Sequence, residues 1–266
     1  YLPALPEMTH FFNVPEITMN LTLILFFIFY SIATLFWGPL SDRYGRRPIL
    51  LIGLVGYLIA SILCGIATSA TQIILFRILQ ACGGGVATTV ATAVIKDVYV
   101  GRKQETTLAI VQSMVVISPA IAPVIGSLLL TFISWRGIFF AQALLGLTVV
   151  LGALIFKETH HPEHETISVM RSFGRLGVLL KDPGFTALLL VFSTMSIISL
   201  GFISSSSYIY QNTFHLSSQM FSFFFAFNSI GMLLGPLVYI PLSKFIDRFV
   251  IIYSCFFLSI VSGGLI

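Results

Sequence analysis

Seven stretches of this sequence, residues 18–38, 48–67, 72–95, 106–131, 137–156, 184–207 and 219–241, hold one charged side chain among them, Arg77. Each has about the 20 residues that a 30 Å hydrocarbon layer requires at 1.5 Å per residue. An eighth, incomplete stretch runs from residue 249 to the end. Backbone groups in lipid must be satisfied within their own segment, so a chain built this way is predicted to be an all-α, polytopic membrane bundle. Only 9% of its residues are charged, against about a quarter in a soluble domain, which argues against folding in water.

The net charge of +4 does not point to nucleic acid, because the basic residues sit in short clusters at the ends of apolar stretches. Cys64, Cys82 and Cys255 all lie inside apolar segments without CxxC spacing, so neither a disulfide framework nor a zinc site is indicated. In "HHPEHE", Pro162 breaks the helix that would pair His160 or His161 with His164, and a solvated loop is the expectation rather than a metal site. The chain opens on Tyr1 without a signal peptide and is expected to be a fragment, cut at both ends.

Alternate loops carry the charge. Those at 42–47, 96–105, 157–182 and 244–248 hold twelve of the 14 Lys and Arg, and the opposite set holds only Arg136. The positive-inside rule places the basic loops in the cytoplasm. The longest, residues 157–182, reads as a linker between an N-terminal half at 1–156 and the start of a second half at 183–266. "PLSDRYGRRP" from Pro39 and "PLSKFIDRF" from Pro241 stand 202 residues apart, room for about six spans, which is the parallel-repeat layout of a twelve-helix transporter.

Gly38-x3-Asp42-Arg43-x-Gly45-Arg46-Arg47 resembles the loop signature of the major facilitator superfamily. "YLPALP" at Tyr1, "RILQACGGG" from Arg77, "SPAIAPVIGS" from Ser118, "SWRGIFF" from Ser134 and "KET" from Lys157 resemble further motifs of its drug:proton antiporters, the bicyclomycin and chloramphenicol resistance (Bcr/CflA) branch. Ala81, Ala122 and Ser127 stand where that pattern often has glycine, and the second loop copy lacks the closing Gly-Arg-Arg. The resemblance implies a major facilitator fold running from the end of helix 1 to part of helix 9 of twelve. It also implies proton-coupled efflux of small amphiphilic compounds by alternating access across the cell inner membrane.

On that reading Gly38, Asp42, Arg43, Gly45, Arg46 and Arg47 form a cytoplasmic gate, with Asp97 the nearby anion for one of the arginines. The simpler reading is topological, with basic residues holding the loop inside. Arg77 lies six residues into its span from Thr71, about 9 Å deep, with Gln80, Gly84 and Thr88 along one helical stripe. An ionisable residue on such a face is expected to line a cavity and have a partner, although at that depth it could also snorkel. The resemblance places the partner, an acidic proton carrier, just before Tyr1.

Pro119, Ala122, Pro123 and Gly126 are expected to give the span at 106–131 a close, kinked interface between halves, with Gly231 and Gly235 offering a similar surface on the span at 219–241. Tyr30, Gln112, Tyr208, Tyr210 and Asn228 are the candidate substrate contacts. No cofactor is expected, the proton gradient supplying the coupling ion. The partners are protons, the small amphiphilic substrate and the lipid bilayer, and the carrier is expected to be a monomer. The alternatives are a facilitator or symporter for sugars or organic acids, and, from another class, a membrane enzyme or receptor. An enzyme would need a convergent titratable set inside the spans, where Arg77 stands alone.

Overall fold

The computed structural model describes residues 1–159, 177–242, 245–247, 250–251, 253–255 and 257–258, and in its helices every side chain other than those at 116, 119, 120, 195, 232, 233, 235–237 and 240. The histidines of "HHPEHE", Lys244 and Arg248 thus lie outside the described residues, as do the side chain of Pro119 and the surroundings of Gly235.

A 3-10 turn, Leu2–Ala4, leads into α1, Leu5–Phe12, with Pro3 and Pro6 in first turns, where the missing N–H leaves no bond unmade. Asn13 ends α1 in a left-handed conformation, φ 50°. The long helices follow: α2 Glu16–Tyr44, α3 Arg46–Gly65, α4 Ala70–Val98, α5 Arg102–Leu130, α6 Trp135–Ile155, α7 Pro183–Tyr208 and α8 Ser218–Leu242. These seven coincide with the seven apolar stretches, extending past several of them by a turn or so. Among the described residues, α2, α3, α4, α6, and α7 with the π turn Ile209–Thr213 behind it, are long and apolar enough to cross a membrane.

Small residues set the order of the bundle, in which α4 lies between α2 and α3, and α3 between α4 and α6. A Cβ on Gly83 would stand 2.5 Å from the Tyr57 backbone nitrogen of α3, and one on Gly85 would stand 3.1 Å from Thr34 Cγ2 of α2. These two glycines let α4 touch both neighbours at backbone distance. Trp37 Nε1 closes the α2 contact by donating to the Cys82 carbonyl at 2.7 Å. On α6, Phe139, Ala143, Gly146, Val150 and Ala153 recur every three or four residues and face inward. Leu144, Leu145, Leu147 and Leu151 face out, as apolar residues do where the surroundings are lipid.

The second-half helices meet the first half at the end remote from the basic loops. Tyr208 and Thr9 share a hydrogen bond of 2.9 Å, and Ser207 donates to the Leu2 carbonyl at 2.7 Å. Gln211 donates to the Pro3 carbonyl at 3.2 Å, Asn212 to Glu16 at 2.7 Å, and Ser222 of α8 to the Pro123 carbonyl of α5 at 2.9 Å. The π turn Ile209–Thr213, a wider helical ring, carries Gln211 and Asn212 toward their partners. The α5 interface differs from the sequence expectation. Gly126 faces Tyr1 and Pro3 of its own half, Ala122 is exposed, and a Cβ on Gly231 would meet open space. Pro123 takes the contact instead, its carbonyl accepting from Ser222 Oγ at 2.9 Å.

Candidate functional site

At the basic end, α2 reverses into α3 through one residue. Gly45 has φ 97°, and a Cβ there would lie 2.8 Å from Glu158 Oε2, so both the turn and the approach of Glu158 favour glycine. The reversal brings Arg46 back over the end of α2. Its Nε donates to Asp97 Oδ2 at 2.8 Å, and its Nη1 donates to Ser41 Oγ at 2.7 Å and to the carboxylate of Asp42. Arg46 is buried, and the two carboxylates compensate the desolvation of its charge.

Arg47 and Arg43 have other roles. Arg47 Nη2 donates to the Leu154 carbonyl in the last turn of α6 at 2.6 Å, where helix carbonyls lack intrahelical donors. Arg43 is exposed, its guanidinium 5.2 Å from the Tyr44 ring centre. Glu158, just past α6, spans the first turn of α3, its two oxygens each accepting a backbone N–H, from Arg46 and Arg47, at 3.0 Å. Each helix end therefore uses a charged side chain from the other to satisfy its unpaired backbone groups. A recess of about 520 Å³ opens beside this cluster between α2 and α4, bordered by Gly38, Asp42, Thr88, Thr92 and Asp97.

Arg77 lies deep in the bundle. Ser69 caps α4 by accepting from Gln72 N, which fixes the helix start and hence the depth of Arg77 two turns on. Its side chain is 6% exposed, with Cζ 4.0 Å from the Phe26 ring centre and 4.5 Å from that of Tyr1. Nη1 donates to Gln80 Oε1 at 2.5 Å, and Nε has no partner. Gln80 turns its amide nitrogen to Ser61 Oγ of α3 at 2.7 Å and to Gln142 Oε1 of α6 at 3.0 Å. Among the described residues, no ion pair joins Arg77 to a carboxylate, and Tyr1, with its amino group, Tyr57 and Cys64 lie near it. Gly84 and Thr88 leave this network: Gly84 faces the Tyr57 ring, and Thr88 bonds Tyr30 at 2.9 Å.

The substrate candidates do not converge on one place. Tyr30 belongs to the α2–α4 contact, and Tyr208 is buried in the contact between halves. Gln112 is exposed on α5. Tyr210 and Asn228 share an aromatic recess of about 560 Å³ with Phe202, Phe224 and Phe227. Sequence reading missed Glu158, Ser61 and Gln142. Gln142 carried a signal, as the only amide in an otherwise apolar span. Among the described residues, no three His, Cys, Asp or Glu gather as metal ligands do.

The chain is similar to several known transporters. It is 29% identical over 242 residues to the uncharacterized MFS-type transporter YdgK of Bacillus subtilis, covering 90% of this chain and 60% of that protein. It is 38% identical over 151 residues to a chloramphenicol resistance protein of Pseudomonas aeruginosa, 56% of this chain and 35% of that one. It is 32% identical over 160 residues to the multidrug resistance protein MdtL of Escherichia coli, 60% of this chain and 41% of that protein. This chain thus spans 35% to 60% of the length of these curated relatives. In fold it is similar to a bacterial homolog of the human lysosomal transporter Spinster, in an inward-facing and unoccupied conformation. The TM-score is 0.72 at 20% identity, covering 93% of this chain and 59% of that one. The sequence profile described as Major Facilitator Superfamily matches residues 1–266, and with this fold the chain, a multi-pass membrane protein, belongs to that superfamily.

Proposed function

We propose that this chain belongs to a proton-coupled exporter of small amphiphilic compounds, set in the cytoplasmic membrane with its basic loops inside and working as a monomer by alternating access. The observation that carries the coupling is Arg77, a cation 6% exposed, stacked between two rings, with Nε unpaired and no carboxylate beside it among the described residues. A buried guanidinium in a membrane protein favours an anion next to it, so it suits a site where a carboxylate alternately binds and releases a proton. The names of two relatives, chloramphenicol resistance and multidrug resistance, support export of drug-like compounds. The aromatic recess around Tyr210 and Asn228 suits a lipophilic molecule with few charges. Contact between the early and late helices at the end remote from the basic loops supports an inward-open state.

The test is reconstitution in proteoliposomes with labelled chloramphenicol, the carrier's inner face outward, and the lumen made acidic. Accumulation in the lumen that collapses with nigericin is expected. Equal equilibration with and without the pH difference would leave a facilitator and overturn proton coupling.

A further inference from the structure

We propose that Gln142 of α6 is a positioning residue for Arg77, acting through Gln80; this rests on the reading that Arg77 serves proton coupling. The geometry leaves Gln80 one orientation. A guanidinium has donors only, so the oxygen of the Gln80 amide must face Arg77 Nη1, 2.5 Å away. That sends its two N–H groups to the other side, where Ser61 Oγ and Gln142 Oε1 accept them at 2.7 and 3.0 Å. Ser61 is itself committed as an acceptor there, because its hydroxyl donates to the Tyr57 carbonyl at 2.7 Å. Flipping the Gln80 amide would break two bonds and set N–H against N–H at Arg77. Gln80 is fully buried, so no water is at hand to replace them.

Gln142 is therefore the acceptor that α6 contributes to a chain of bonds ending on the guanidinium. The same helix carries, at its basic end, the carbonyl of Leu154 on Arg47 and then Glu158 on the start of α3. A shift of α6 during transport moves Gln142 relative to α4 and loosens the one hydrogen bond that Arg77 makes among the described residues. Tyr1, with its ring and its amino group, Tyr57 and Cys64 are titratable groups near the guanidinium, and among the described residues no hydrogen bond joins them to it or to the Gln80 amide.

The experiment compares two activities of the same reconstituted protein with labelled chloramphenicol: accumulation driven by a pH difference, and counterflow exchange at equal pH. Gln142→Met keeps the length and loses the acceptor. It should lower driven accumulation about tenfold, the size expected from losing a buried hydrogen bond, while lowering counterflow by less than about twofold. Gln142→Glu, which keeps an acceptor oxygen, should retain most of the driven accumulation. If Gln142→Met does not reach the membrane, Ser61→Ala removes the other acceptor of the same amide and reads the same contrast. Equal losses in both activities would mean that Gln142 only holds the helices together and would overturn the inference, as would driven accumulation at the wild-type level. A wild-type protein indifferent to the pH difference would sink the coupling reading itself, a result separate from either variant.

Discussion

Among single residues, the three arginines of the α2–α3 turn divide their work in a way their spacing does not reveal. Sequence supplies three cations and one carboxylate in six positions; which cation is buried depends on the backbone reversal at Gly45, which folds Arg46 inward and leaves Arg43 in the open. The anions are unequal too. The Asp97 side chain is 25% exposed and offers two oxygens to Arg46, whereas that of Asp42 is 59% exposed. Water screens the second pair far more than the first, so we expect Asp97→Asn to cost about 1.5 to 3 kcal/mol and Asp42→Asn about 1 kcal/mol or less. Thermal unfolding of the two variants in detergent gives the comparison. A larger loss of melting temperature for Asp42→Asn would reverse the assignment of the principal anion.

At the level of elements, the ends of α3 and α6 are the informative places. All seven long helices could be read from the sequence, because burial in lipid demands apolar residues on every face and writes its length directly into the chain. The partnership of α3 with Glu158 could not, since the contact joins residues 112 apart and the "KET" motif marks the end of an apolar run without naming a partner. A carboxylate on two N–H groups of a first helical turn works with the helix dipole and stands in for a side-chain cap, which Gly45, having no side chain, cannot supply. Glu158→Ala should therefore release the first turn of α3. Amide hydrogen exchange over residues 46–50 is expected to rise about fivefold to tenfold, consistent with about 1 kcal/mol, with the middle of α3 unaffected. Glu158→Gln, keeping the oxygen but losing the charge, should fall between. Unchanged exchange in the alanine variant would show that the turn is held by Gly45 and Arg46 alone.

Across the whole molecule, the described hydrogen bonds between the early and the late helices gather at the end remote from the basic loops. The loop copies at Pro39 and Pro241 read as a repeat, whereas the residues that join the early and late helices do not show in the sequence: Tyr208, Gln211 and Asn212 lie 199, 208 and 196 residues from their partners, and Tyr208 reads as a substrate contact. Few of these bonds involve a charge, and Asn212 with Glu16 is exposed, so the set is weak enough to break and reform. A carrier that alternates must separate these residues once per cycle, which makes the contact testable by the same chloramphenicol exchange. In a background with Cys82 and Cys255 changed to serine, and Cys64 left because it is buried, Glu16→Cys with Asn212→Cys should be bridged by a short bis-thiosulfonate reagent. Bridged protein should stop chloramphenicol exchange and regain it on reduction, while either single cysteine treated alike should not. Exchange that continues undiminished across the bridge would mean that the outer ends stay together throughout the cycle, and that the halves do not open where α1 and the π turn behind α7 meet.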